Sequence, residues 1–233
     1  MGLKLMKQLS ILIVLLTVFL AGCKSTPQPA VRLKPELLNE NIRVGIYINE
    51  IAPATTSIQG ADCLLCYGVA VAANSSLSSH LESLPTTDIE SAKQVVYDGY
   101  KSKTQHVEFV NLSKDKLSKL KKFKGELGFA KKDYRSLKSE LNIDVLVMLN
   151  IHAHGAHRMY SAYVPVTDPQ GYVSGVIYSV DLETNQYLQF QRFNRKVLVE
   201  GEWDEPKQQF PGVTNAYYQA VEKVKLSLGN IFL

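Results

Sequence analysis

Two groups of side chains in this sequence are able to do chemistry by type and spacing. Cys63 and Cys66 are separated by two residues. Such a pair can close a local disulfide, hold a metal, or cycle between thiol and disulfide. Within a helix their Cβ atoms would lie ~5–6 Å apart, against the ~3.8 Å a disulfide prefers. A turn or a helix start would bring them close enough. Buried thiols are the plainer alternative. Redox cycling wants a strand immediately before the pair, and here a Thr/Ser/Gly loop precedes it. The second group is His152, His154 and His157. On a strand, positions 152 and 154 share a face, and His157 could fold back after Gly155. Imidazoles so placed suit zinc or copper, and a metal-binding protein or hydrolase is the reading they carry. The competing reading is a strand that leaves the core at Asn150, with polar residues following into solvent. No cysteine or carboxylate nearby offers itself as a fourth ligand. No nucleophile elbow, phosphate-binding loop, dinucleotide fingerprint or zinc-protease motif accompanies the histidines, and no cofactor is expected.

A third cysteine sits in a different setting. Lys4 and Lys7 precede an apolar run over residues 9–20, which is too short for a bilayer-spanning helix of ~20 residues and the right length for a secretion signal. Leu20-Ala21-Gly22-Cys23 follows at once and resembles the lipobox of bacterial lipoproteins. The resemblance implies that residues 1–22 are removed and that Cys23 becomes the acylated first residue. Each buried methylene of an acyl chain adds ~0.8 kcal/mol, so two or three chains hold firmly to a bilayer. The sorting rule of such lipoproteins retains proteins with aspartate at the next position in the inner membrane. Lys24 stands there instead, which implies the outer membrane, facing the periplasm. Residues 23–41, with Pro27 and Pro29 near their start, read as a lipidated tether, and residues 42–233 as a single domain.

Composition limits the partners. The 233 residues carry a formal charge of +4, but Lys4 and Lys7 belong to the signal. The remaining excess is too small to argue for nucleic acid. Basic residues do gather at residues 114–124 and 131–138, where solvated helix faces are the plain reading.

The elements that must position these groups follow from periodicity. Residues 42–48 alternate as a strand, and residues 51–59 read as a Pro/Thr/Ser loop. Asp62 caps a helix from Cys63 to about Asn74 that is apolar on every side, so it should be buried or packed on a partner. Thr87 and Glu90 have capping-box spacing for a helix to about Lys101. A strand over 105–112, a short basic helix over 114–122 and an amphipathic helix over 131–141 come next. Residues 143–153 form the most hydrophobic strand, followed by an extended stretch at 160–166 and a turn at 168–171. Strands at 172–182 and 187–199 make an antiparallel hairpin, and a helix over 213–228 closes the chain. This order predicts an α/β fold: a mixed sheet, parallel with an antiparallel meander at one edge, packed by helices.

Two local patterns resemble a group of envelope proteins. Residues 140–147, where Asp144 precedes an apolar strand, look like a helix-to-strand entry of that group. Residues 178–187 are similar to its hairpin. The group comprises the amino-terminal domain of the Tol translocation protein TolB, the periplasmic core of the curli secretion lipoprotein CsgG, and lipoproteins that activate penicillin-binding proteins. The resemblance implies assembly or partner binding rather than catalysis. The expectation is a non-enzymatic accessory or scaffold, tied to the outer membrane through its lipid and docking an unidentified envelope protein or further copies of itself. Tyr187 in the aromatic-rich meander and Trp203 in the following loop are the candidate partner-binding residues, together with the apolar stretch at 64–73.

Overall fold

The computed structural model describes residues 26–233, so the expected signal and Cys23 lie outside the described residues. Four strands build the parallel part of the sheet: β1 (Arg43–Ile48), β2 (Thr55–Gln59), β3 (His106–Phe109) and β4 (Val145–Ser161). β1 pairs in parallel with β3 on one side and with the start of β4 on the other. β2 pairs in parallel with the far half of β4, from Thr55 opposite Gly155 to Gln59 opposite Met159. β1 and β2 therefore lie end to end along one edge of β4. Asn49 bridges the gap between them: its Oδ1 accepts from the Ile151 amide at 2.8 Å and its Nδ2 donates to the Ile151 carbonyl at 3.0 Å. Backbone groups left over where one partner strand stops are thus still paired.

The other edge of β4 carries the meander. β5 (Val164–Pro165) is a two-residue stub, and β6 (Gln170–Asp181) and β7 (Tyr187–Val197) follow antiparallel. The path across the sheet is β3-β1-β4-β6-β7, the expected mixed sheet with its antiparallel part at one edge. Three local readings change. Residues 55–59 are a strand rather than loop; their polar Thr-Thr-Ser sequence hides a backbone that pairs with β4. The extended stretch at 160–166 belongs partly to β4, which runs unbroken to Ser161 before the chain reverses at Ala162 and Tyr163. Gln170 and Gly171, expected in a turn, lie inside β6.

Among the described residues seven α-helices surround the sheet: α1 (Leu64–Ala73), α2 (Ser75–Glu82), α3 (Thr87–Glu90), α4 (Ala92–Lys101), α5 (Lys114–Lys119), α6 (Leu137–Leu141) and α7 (Pro211–Gly229). α2, α4 and α7 lie on one face, over a core that includes Ile46, Val147, Leu149, Ile177 and Val224. On the opposite face Leu146, Met148 and Val180 meet Ile143, Tyr134 and Leu137. The expected helix over 131–141 is helical only from Leu137 to Leu141. Asn185 explains why, because it binds the preceding backbone to the β6–β7 turn. Its Nδ2 donates to the carbonyls of Ala130 and Lys132 at 3.1 and 3.0 Å, and its Oδ1 accepts from the Tyr134 amide at 3.0 Å. The expected helix from Thr87 is broken too. α3 stops at Glu90 and α4 restarts at Ala92, while Thr86, not Thr87, hydrogen-bonds the Glu90 carboxylate.

α7 presses directly on β6 at Gly171, where an added Cβ would stand 2.0 Å from the Ala216 carbonyl oxygen. Gly171→Ala is expected to cost about 2–3 kcal/mol, because backbone must move to relieve the overlap. Gly68→Ala, in α1 with nothing within 4 Å of its added Cβ, is expected to stabilise by about 0.5–1 kcal/mol. Urea unfolding of the two variants checks both signs.

Candidate functional site

The chain enters α1 through a tight bend. Gly60 has a positive φ of 86°, and its added Cβ would overlap the Tyr160 carbonyl. Cys63, with extended backbone (φ −99°, ψ 152°), is the cap residue in place of the expected Asp62; its sulfur accepts from the Cys66 amide at 2.9 Å. Because Cys63 stands outside the helix, its Cα comes within 5.0 Å of that of Cys66, and the two form a disulfide. Of the alternatives open from the sequence, the helix-start geometry is the one adopted.

Only Cys66 and Ala70 of α1 are buried, against Tyr160 of β4. The rest of the apolar surface faces outward: Leu64 is 91% exposed, Leu65 78% and Tyr67 51%, with Val69 and Val71 exposed beside them. The expected all-round hydrophobic helix is therefore present but not covered by its own domain. Its seat is rigid and polar. Asn74 donates through Nδ2 to the Ala70 carbonyl at 2.7 Å and to the Tyr160 hydroxyl at 2.6 Å. Arg158, 7% exposed, donates from Nη1 to the Asn74 Oδ1 at 3.2 Å and from Nε to the Thr167 carbonyl at 3.1 Å. Its guanidinium lies 4.3 Å from the Trp203 ring centroid. Arg158 and Asn74 escaped the sequence reading; a lone arginine in a polar stretch of strand and an asparagine between two helices gave no signal.

The histidines are separated by a bulge. β4 slips register between Ile151 and Ala153, which places His152 at the irregular position, exposed. The slip reverses which parity faces the α7 side: Ile151 and then Ala156 pack there. His154 joins that face. Its Nε2–H donates to the Ala52 carbonyl at 2.7 Å, and its Nδ1 accepts from the Tyr217 hydroxyl of α7 at 2.9 Å. His157, three positions on, faces the other way, with Nε2 near Gln59 Oε1 at 3.1 Å and Lys196 Nζ at 3.2 Å. The three imidazoles do not converge. Among the described residues no group of three or more His, Cys, Asp or Glu is placed to hold a metal ion. The strand does not leave the core at Asn150, since Gly155, Ala156, His157 and Arg158 are all buried.

Tyr187 and Trp203 are not neighbours. Tyr187 packs edge-on against Tyr178 and tilted against Phe190 near the start of β4, its hydroxyl pushed up to about 12 by burial and by Tyr134. Its row on β4 is Leu146, whereas Trp203 covers Arg158, twelve positions along the strand and so ~40 Å away. Both are half-buried parts of the fold's own packing.

No family model matches the chain, and no curated protein matches it. Solved structures similar to it include the PelC dodecamer from Paraburkholderia phytofirmans (8% identity, TM-score 0.36, covering 86% of this chain and 95% of that one). A Xanthomonas campestris protein of the DUF330 family gives 11% identity and a TM-score of 0.35, covering 86% and 90%. A lipoprotein from Neisseria meningitidis gives 11% and 0.28, covering 77% and 99%. At these TM-scores the likenesses assign no function. None of the three is described as a TolB, CsgG or penicillin-binding-protein activator structure, so that resemblance stands on the two local sequence patterns alone. No helix of the described residues is long and apolar enough to cross a membrane.

Two predictions follow from this geometry. Alkylation of the unfolded chain without reductant should leave Cys63 and Cys66 unmodified in peptide mass spectra, and a Cys63→Ser, Cys66→Ala variant should lose about 2 kcal/mol in urea, the loop entropy of so short a ring. The second concerns pH. Burial lowers His154 from its ordinary value of about 6.5, and burial plus the Lys196 charge lowers His157. The unfolded chain therefore binds protons that the native state refuses. Stability is full above about 6.5 and falls as pH drops through that value toward the lowered native ones. The urea midpoint should be higher at pH 7.5 than at pH 5.5, and His157→Gln should flatten part of the slope.

Proposed function

We propose that this chain is a non-enzymatic lipoprotein, held by acyl chains on Cys23 at the periplasmic face of the outer membrane, where it serves as an accessory to an envelope assembly. The observation that carries the docking role is the outward apolar face of α1. Burying a leucine side chain is worth roughly 1.5–3 kcal/mol, so Leu64 and Leu65 alone offer a partner a substantial gain. Their helix is fixed by a disulfide at its start and by Asn74 and Arg158 at its base, so little ordering cost accompanies docking. A disulfide suits an exported protein, in keeping with the lipobox-like tetrad that ends at Cys23.

The partner is an envelope protein with a complementary apolar patch. A photo-crosslinking residue placed at Leu65 in living cells should yield a discrete adduct with one envelope protein, whereas the same residue at exposed Lys223 should not. Equal adducts from both positions, or none from Leu65, would count against docking through α1. Palmitate labelling that is abolished by Cys23→Ser checks the anchor separately.

A further inference from the structure

The first described residues are not free. Val31 exchanges two backbone hydrogen bonds with Phe190 of β7, at 2.8 and 2.9 Å. The Gln28 Oε1 accepts from the Gly128 amide at 2.9 Å, and Gly128 in turn accepts from the Tyr187 amide. Thr26 and Gln28 line a depression of about 180 Å³ with Glu126, Leu127, Lys131 and Tyr187. The tether expected from the sequence is thus bonded to the domain from Gln28 onward, with Thr26 beside it. Three residues span at most ~11 Å, so Cys23 stays within about that distance of Thr26. The attachment point is consequently at the end of the sheet where β4 begins and the β6–β7 turn lies, far from α1 at the other end.

The segment packed beside that end is basic, although Asp144, Asp181 and Glu183 also lie there. Residues 114–138 hold ten Lys and Arg against three Asp and Glu, whereas the rest of the chain from Lys24 onward holds fourteen against nineteen. Lys121, Lys122, Lys124 and Lys131 are exposed and take part in no ion pair among the described residues. Leu127, 52% exposed, lines the same depression as Lys131 and lies in the loop closed by the Lys122–Lys132 bridge. Exposed lysines and an apolar side chain on one loop, at the point where an acylated terminus must meet the bilayer, have the chemistry of an anionic phospholipid contact.

We infer that this end of the domain, with Lys121, Lys122, Lys124, Lys131 and Leu127, rests on the anionic headgroups of the membrane that takes the acyl chains. The domain then stands upright, with α1 presented at the distal end. The inference rests on the lipid-anchor reading, and its test separates the two.

The full-length lipoprotein, carrying Trp203→Phe and either Leu127→Trp or Leu65→Trp, is reconstituted into vesicles containing brominated phosphatidylglycerol. The Leu127→Trp fluorescence should be quenched about threefold more than that of Leu65→Trp, by proximity to the charged surface. Lys121→Glu, Lys122→Glu and Lys124→Glu together should abolish the difference while the protein remains on the vesicles. Replacing phosphatidylglycerol by phosphatidylcholine brominated at the same position should do the same. Equal quenching at the two positions in vesicle-bound protein, or stronger quenching at Leu65→Trp, would overturn the inference and leave the anchor intact. A chain that fails to bind vesicles and shows an unmodified Cys23 by mass spectrometry would overturn both.

Discussion

A strand of seventeen residues needs hydrogen-bond partners along both edges, and β4 dictates the rest of the molecule by that requirement. β6 answers along one edge with twelve paired positions interrupted once, at the bulge. No single parallel strand answers along the other, so β1 and β2 divide it and Asn49 fills the space between. The near half of the sheet carries the two-faced hydrophobic core. The far half carries the polar seat of α1 and the buried histidines. The length of β4 is what puts these two regions at opposite ends of one body.

The bulge within β4 decides the fate of its histidines. In a regular strand His152 and His154 would have shared a face and His157 the other. The extra residue instead sets His154 against Tyr217, where both ring nitrogens find partners, and leaves His152 outside. His154 thereby acts as a polar strut between strand and helix, a role that favours the neutral ring. His157 keeps one nitrogen with Gln59 and Lys196 while its Nδ1 is buried with no hydrogen-bond partner among the described residues, which costs stability rather than adding it.

Much of this architecture was legible. The alternation at 42–48, the apolar run at 143–153, the β6–β7 hairpin and the closing helix are all strongly periodic, and periodicity reports which side of an element is dry. What escaped lacked that signal for identifiable reasons. β2 is polar because it is only half-buried, and besides its backbone ladder it is held by polar contacts of Thr56 with Ser78 and Gln59 with His157, which leave no apolar alternation. Residues 131–136 carry a helical pattern but are held by Asn185, a contact from more than fifty residues away. The Cys63–Cys66 bridge turned on whether Cys63 stands inside or just outside the helix, a one-residue boundary that composition does not resolve. Arg158 and Trp203 found each other across the fold, and neither announces the other in sequence.

The ring closed by the two cysteines encloses only Leu64 and Leu65. It needs nothing distant to be in place, so oxidation can finish on the emerging segment before the sheet exists. The chain has three cysteines, and acylation would remove the thiol of the third from exchange. Thiol isomerases would then have no mispaired bond to correct, and maturation of this protein should depend on an oxidant alone.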